Sequence, residues 1–383
     1  MVFEDLTLIS LTYFHYSRFL GIVNKKNENI YNFMKNLVIV FGGRSVEHDV
    51  SILTGLHAAK NVCDGVSVYL VYLDRDNKFW LAKNLNRLCH RSCWFADGRL
   101  CYGKRQVKVD VVLNCCHGGI GEAGELAAMM KVVDIPITSS ETESALKMMS
   151  KSTTRKILGD SDTNTIDCIC MCDIPQDIVD MRDKLPLIIK PDSLGSSIGI
   201  SVAKNLEELK NAIDLAFMFD KKIVIEKFLE GAIEINCAAF KYGDEIVVSE
   251  CELVEKDEIL GFSDKYLGES PQFVKKQSQS KPNTKDEHLF DRIKGLVRQA
   301  YYLFDASGIV RCDFLVVGDS IYLNEINSVP GFLSYHLFMR SGIPYSVLID
   351  MVCRQAILDF EKDNSLLTDF QSNIIQVNRA LVD

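Results

Sequence analysis

Six short apolar runs, each stopping at a loop of glycines and charged residues, constrain this chain more than any other feature. They are LVIVFGGRSVEH (residues 37–48), VVLNCCHGGIGEAGE (111–125), LIIKPDSLGSSIG (187–199), IVIEKFLEG (223–231) and the pair IVRCDFLVV and IYLNEINSVPG (309–317 and 321–331). Runs this short, rich in β-branched residues and bounded by turn formers, predict strands. A further strand is predicted over 66–73, and a hairpin turn at Gly318-Asp319. Helical patterns fall over 51–62, 122–133, 144–158, 207–219 and 286–304. The alternation predicts an α/β protein whose first part is a parallel sheet flanked by helices. Ligands of open α/β sheets bind at the carboxyl ends of strands, where these loops fall.

Composition narrows the function. The 383 residues are 47% hydrophobic and 25% charged, with 23 Gly and 8 Pro, which excludes a mainly disordered, collagen-like or low-complexity chain. A net charge of −9 without a dense basic run speaks against nucleic acid or an anionic membrane as partner. No apolar run approaches the ~18–20 residues of a membrane span. Thirteen cysteines, spread from Cys63 to Cys353, read as reduced, cytoplasmic thiols rather than a disulfide framework. Cys168, Cys170 and Cys172 alternate as on one strand face, and Cys89, His90, Cys93 and Cys101 lie close together. Neither group completes a paired zinc pattern. Residues 1–34 read as an N-terminal extension or a misassigned start: Glu4 and Asp5 stand where a signal peptide needs basic residues, and Met34 opens MKNLVIVFGG as a natural start would. The polar stretch 255–285 is too long for an ordinary connection and is expected to be functional or disordered.

The loops carry chemistry. Gly42 and Gly43 allow a tight turn before a helix N-terminus, an anion site, and Glu47 is suited to a substrate ammonium; the alternative is a plain strand–helix turn. His117 stands in a glycine loop at a strand's carboxyl end, with Glu122 opening the next helix. Lys190 ends an apolar strand beside a loop rich in backbone N–H groups, which suits a polyphosphate; the alternative is a surface lysine before a flexible loop. Glu226 follows apolar residues on a strand, where an acid needs a partner. An adenine amino group or a ribose hydroxyl would serve, as would a salt bridge to a lysine. On the hairpin, Arg311 and Asp313 share one face of their strand, and Glu325 and Asn327 one face of theirs. Aligned, they set three oxygen ligands for Mg²⁺ beside a guanidinium able to stabilise charge on a reacting acyl group; the alternative is a solvated polar face.

In this order, GGRSVEH, HGGIGEAG, KPDSLGSSIG, IEKFLEG, DKYLG, RCDF and NEINSVPG resemble the motifs of the D-alanine–D-alanine ligases of the ATP-grasp superfamily, over residues 35–353. The resemblance implies a three-domain α/β (α+β) ATP-grasp architecture. An N-terminal Rossmann-like substrate-binding domain would span 35–142, a central subdomain 143–229 and a C-terminal catalytic subdomain 230–383. It implies ATP-dependent joining of two D-alanines through an acyl phosphate, for peptidoglycan precursors, in a cytoplasmic homodimer. Carried over by motif, Glu47 binds the first ammonium and Ser196 fixes Glu47. Lys151, Lys190, Gly195 and Ser197 hold phosphates, Glu226, Lys227 and Leu229 read adenine, and Glu234 reads ribose. Asp313, Glu325 and Asn327 carry two Mg²⁺ (or Mn²⁺) ions. Arg311 and the Gly331 amide stabilise the tetrahedral intermediate, Lys265 and Tyr266 belong to the loop that closes over the site, and His117, His336 and Leu337 meet substrate.

Four departures stand out. GEAG replaces the family's GEDG, so Ala123 removes a carboxylate; SALKMMSK carries one residue more than SALxMDK; Gly261 and Phe262 replace an acid and a tyrosine; His336 replaces a serine. They admit two alternatives, a ligase with another acceptor such as D-serine, and a catalytically weak ATP-binding homologue.

Overall fold

The computed structural model describes residues 34–159, 166–173, 179–254 and 284–366, together with residues 372 and 374. Strands β1 (Asn36–Gly42), β2 (Ser67–Leu73), β3 (Phe79–Leu81), β4 (Arg91–Ser92), β5 (Trp94–Ala96), β6 (Arg99–Tyr102), β7 (Arg105–Lys108) and β8 (Val111–Asn114) build the first part. Five of them form one sheet in the order β4-β3-β2-β1-β8. Every residue of β1 after Asn36 is buried, as a central strand covered on both faces requires. It runs parallel to β2 and β8, but β3 and β4 add on antiparallel. The sheet is therefore mixed rather than parallel throughout, and β5-β6-β7 make a separate meander.

Three helices differ from their sequence patterns. Helix α1 (His48–Ala59) begins before residue 51, directly after Glu47, so the helix N-terminus sits beside that carboxylate. The pattern over 122–133 divides into α2 (Gly119–Glu122) and α3 (Glu125–Val132) at Gly124, whose φ is +95°. A Cβ there would lie 2.6 Å from the Thr142 Cα, so close approach of the two segments needs glycine. The pattern over 144–158 divides into α4 (Thr142–Met149) and α5 (Lys151–Gly159) at Ser150, which is extended. The cause lies in the KPD segment: the Asp192 carboxylate accepts from the Ser152 amide and the Ser150 hydroxyl, both at 2.7 Å, and caps α5.

The second sheet has the order β11-β10-β12-β9, from β9 (Cys168–Met171), β10 (Leu187–Pro191), β11 (Ser201–Ala203) and β12 (Ile223–Lys227). Helix α6 (Leu206–Phe217) buries Leu209, Ala212, Ile213 and Ala216 against it, and the Asn205 side chain caps it by accepting from the Glu208 amide at 2.9 Å. The third sheet comprises β13 (Ile233–Tyr242), β14 (Glu245–Val248), β15 (Glu252–Val254), β16 (Val310–Val317) and β17 (Ser320–Asn327), ordered β14-β13-β16-β17 with β15 also on β13. Helix α7 (Thr284–Leu303) packs Ile293, Val297 and Ala300 into its core. Helices α8 (Tyr335–Arg340) and α9 (Tyr345–Asn364) share a core with the first sheet: Leu337, Phe338, Leu348, Ile349 and Val352 cluster with Leu37, Ile39 and Phe41. This common core brings the carboxyl end of β1 next to the loop after β17. All thirteen cysteines are free, and among the described residues no helix is long and apolar enough to cross a membrane.

Candidate active site

Three loops meet where the sequence placed its motifs. The Ser196 hydroxyl donates to the Glu47 carboxylate, joining the loop after β10 to the loop after β1. Gly118, at φ +61°, faces both: a Cβ there would collide with the Ser45 hydroxyl and lie 3.2 Å from Glu47 Oε2. Glu122 holds the HGG loop by accepting from the Gly118 amide at 2.9 Å. Burial, then the charge of Glu47, pushes the Glu122 carboxyl up to about 7.

A buried ionic network lies between the second and third sheets. Glu226 accepts from Lys190 Nζ at 2.7 Å and from Arg155 Nε at 2.9 Å. Glu226 thus forms the salt bridge to a lysine, one of the partners the sequence offered for it. Burial opposes the charge on Glu226, but Lys190 and Arg155 outweigh it and hold the carboxyl below its usual range. Burial lowers Lys190, and the charges of Arg155 and Lys151 add to that. Lys190 also donates to the Asn324 side-chain oxygen at 3.0 Å. Lys151 Nζ donates to the Leu194 carbonyl at 2.5 Å and lies 4.0 Å from Glu325, so the extra residue in SALKMMSK leaves this lysine facing the loop and the hairpin.

The hairpin aligns as its spacing predicted. Asp313 pairs across strands with Glu325 and Arg311 with Asn327, and opposed residues share a face. Arg311 grips Asp313 with Nε at 2.6 Å and Nη2 at 2.7 Å, and the Asn327 amide donates to it at 3.1 Å. Burial nevertheless pushes the Asp313 carboxyl up to about 7, because Glu325 and Glu234 work against Arg311. Two carboxylates, Asp313 and Glu325, and the Asn327 side-chain amide stand at paired positions of the hairpin, and oxygen donors of this kind fit a hard divalent cation such as Mg²⁺. Among the described residues no group of three His, Cys, Asp or Glu side chains is set to hold a metal.

Beyond the hairpin, Phe332, Leu333 and Ser334 turn in the left-handed region directly after Gly331. His117 Nδ1 lies 2.7 Å from the Val329 carbonyl and Nε2 2.7 Å from the Thr54 hydroxyl, which also accepts from the Phe332 amide at 3.1 Å. Burial lowers the His117 pKa. His336 Nε2 lies 3.1 Å from Glu252, at the start of β15, while Leu337 is wholly buried in the core. Glu234 stands on β13, Lys227 is exposed at the end of β12, and Leu229 follows it. Lys265 and Tyr266 lie outside the described residues.

Family models for the D-ala D-ala ligase N-terminus and C-terminus match residues 36–140 and 170–354. The D-alanine–D-alanine ligase of Thermosipho africanus (strain TCF52B) is 31% identical over 369 residues, covering 90% of this chain and 99% of its own. The chain belongs to the D-alanine–D-alanine ligase family. Its fold is shared by solved structures. The D-alanine–D-alanine ligase from Helicobacter pylori is 26% identical with a TM-score of 0.67, covering 84% of this chain and 98% of that one. VanG D-Ala:D-Ser ligase from Enterococcus faecalis is 22% identical with a TM-score of 0.72, covering 84% and 99%.

Sequence reasoning missed three residues of this ligase-family site. Arg155 sits inside a helical pattern, where a basic residue reads as solvated, yet its Nη atoms also donate to the Leu323 and Asn324 carbonyls at 3.1 and 2.6 Å. Thr54 lies on α1 and is wholly buried. Asp192 was visible only as part of KPD. None carries a local signal, because their partners are distant in sequence.

Proposed function

We propose that the protein is an ATP-dependent ligase that joins two D-alanines into D-alanyl-D-alanine for peptidoglycan precursors. The observation that carries this reading is the convergence of Lys151, Lys190 and Glu226 with Arg311, Asp313, Glu325 and Asn327, beside a loop whose Ser196 meets Glu47. Glu47 takes the ammonium of the first D-alanine. A carboxylate oxygen of that D-alanine attacks the γ-phosphorus of ATP, forming the D-alanyl phosphate and releasing ADP. The amine of the second D-alanine attacks the acyl carbon, loses its proton and expels phosphate. Arg311 and the Gly331 amide face the oxygen on which charge builds. Lys151, Lys190 and the Gly195–Ser197 backbone hold the phosphates, Glu226, Lys227 and Leu229 the adenine, Glu234 the ribose. Asp313, Glu325 and Asn327 would hold two Mg²⁺ or Mn²⁺ ions, which neutralise phosphate oxygens and polarise the transferred group.

The same reading has three domains, 35–142, 143–229 and 230–383, supported by the grouping of the sheets: two within the first stretch and one in each of the others. It includes a homodimer, supported by family likeness, and a cytoplasmic setting, supported by thirteen free thiols. A D-serine acceptor is the second reading, favoured by His336, which replaces the family serine and is paired with Glu252. The test is mass-spectrometric product analysis with Mg·ATP and D-alanine, with and without D-serine, following phosphate release. D-Ala-D-Ala as main product supports the first reading, and ATP binding without any dipeptide refutes both. If His336 sets the acceptor, His336→Ser shifts the D-Ala-D-Ser to D-Ala-D-Ala ratio; an unchanged ratio removes that role.

A further inference from the structure

The two hydrogen bonds to His117 fix its tautomer. A carbonyl can only accept, so Nδ1, facing Val329 at 2.7 Å, carries the hydrogen. In the neutral ring Nε2 is then an acceptor, and the Thr54 hydroxyl, 2.7 Å away, donates to it. The same hydroxyl oxygen accepts from the Phe332 amide at 3.1 Å. A directional chain results, running from the Phe332 N–H through Thr54 and His117 to the Val329 carbonyl. Its two ends bracket Pro330-Gly331. Thr54 is 0% and His117 3% exposed, so water does not compete for these groups.

The turn that follows the bracketed segment needs such a hold. Phe332, Leu333 and Ser334 have φ of 50°, 53° and 49°, a left-handed run that L side chains rarely adopt. Within the turn, the Leu333 amide donates to the Pro330 carbonyl at 2.8 Å. The Phe332 amide has its partner on α1, in the first domain, so this hydrogen bond ties the turn to that helix. We propose that Thr54, through the Phe332 amide and His117, is a positioning residue that fixes the Gly331 amide for the tetrahedral step. This rests on the acyl-transfer reading above. It also assigns His117 a role different from substrate contact, since both ring nitrogens are spent within the protein. An amide aimed at a developing oxyanion loses its effect when displaced by about 1 Å, so Thr54 acts on turnover more than on nucleotide binding.

Thr54→Val keeps the side-chain shape and removes both donor and acceptor. We expect kcat to fall about tenfold or more, from loss of the hydrogen bond that ties the turn to α1, with KM for ATP within about twofold of wild type. Thr54→Ser restores turnover. Nitrogen-15 NMR of the wild-type protein at pH 7 shows His117 as the neutral Nδ1–H tautomer, a measurement that needs no variant to fold. Wild-type kcat in Thr54→Val, failure of Thr54→Ser to restore it, or a His117 signal from the Nε2–H tautomer or the imidazolium overturns the proposal. A wild-type protein that makes no dipeptide sinks the ligase reading and the positioning role with it, whereas the tautomer signal still reports on the hydrogen-bond chain alone.

Discussion

Glu226→Gln puts the buried ionic network to a quantitative test. The side chains of Glu226, Lys190 and Arg155 are 0%, 5% and 4% exposed, so two cations share one anion away from water. Removing the anion leaves both cations facing a neutral amide. Breaking a buried ion pair in this way costs roughly 3–5 kcal/mol. Arg155 stays charged and keeps its hydrogen bonds to the Leu323 and Asn324 carbonyls. The Lys190 share of that cost has a ceiling, because Lys190 can shed its proton. From its ordinary pKa of 10.5, deprotonation at pH 7.5 spans about three pH units, or about 4 kcal/mol. At pH 9.5 only about one unit remains, or about 1.4 kcal/mol. The sign follows from linkage. Below pH 10.5 the unfolded chain keeps the Lys190 proton that the variant's native state has lost, so the variant's stability rises with pH; the wild type, whose folded Lys190 is lowered less because Glu226 holds its proton, gains over a narrower range. Urea unfolding followed by circular dichroism should therefore show a deficit against wild type of about 3–4 kcal/mol at pH 7.5, shrinking to about 1–2 kcal/mol at pH 9.5. A deficit below about 1 kcal/mol at pH 7.5, or one equal at both pH values, refutes the reasoning.

Two further perturbations follow from the site. Glu325→Gln makes an anionic metal ligand neutral, and turnover should fall about a thousandfold with the melting temperature unchanged; near-wild-type turnover in a phosphate-release assay removes the metal assignment. Glu122, raised by burial to about 7, keeps its proton in the native state between its ordinary 4.5 and 7, where the unfolded chain has lost it. Wild-type stability should fall relative to Glu122→Gln by roughly 3 kcal/mol as pH rises through that window, and a pH-independent difference in thermal unfolding contradicts this.

The motif-bearing strands were legible because their signal is local. A buried strand ending in glycine or a charged residue is written within ten positions, and β1, β8, β10, β12, β16 and β17 all stand where the runs predicted. Helix breaks were less so. The pattern over 122–133 ran straight through Gly124, and the break at Ser150 depends on Asp192, 42 residues away. Parallel pairing was overextended because β3 and β4 are short, and their antiparallel return past Asp74 carries no long-range signature.

The sequence by itself determined which chemistry the chain can do. Carboxylates, lysines and the arginine sit at strand ends and glycine loops, and that placement follows from local periodicity and turn chemistry. The tertiary structure decided which way they face. Strand alternation alone would put Leu323 and Glu325 on one side of β17. Instead the pairing runs from Asp313–Glu325 to Phe314–Leu323, leaving Asn324 as an extra residue. The bulge turns Leu323 into the core and Glu325 toward the site, and it offers the carbonyls of residues 323 and 324 to Arg155. Thr54 and Phe332, 278 positions apart, meet only because the first sheet and α9 bury one core between them. No local pattern encodes such contacts, since their strength comes from burial that exists only once the sheets have packed.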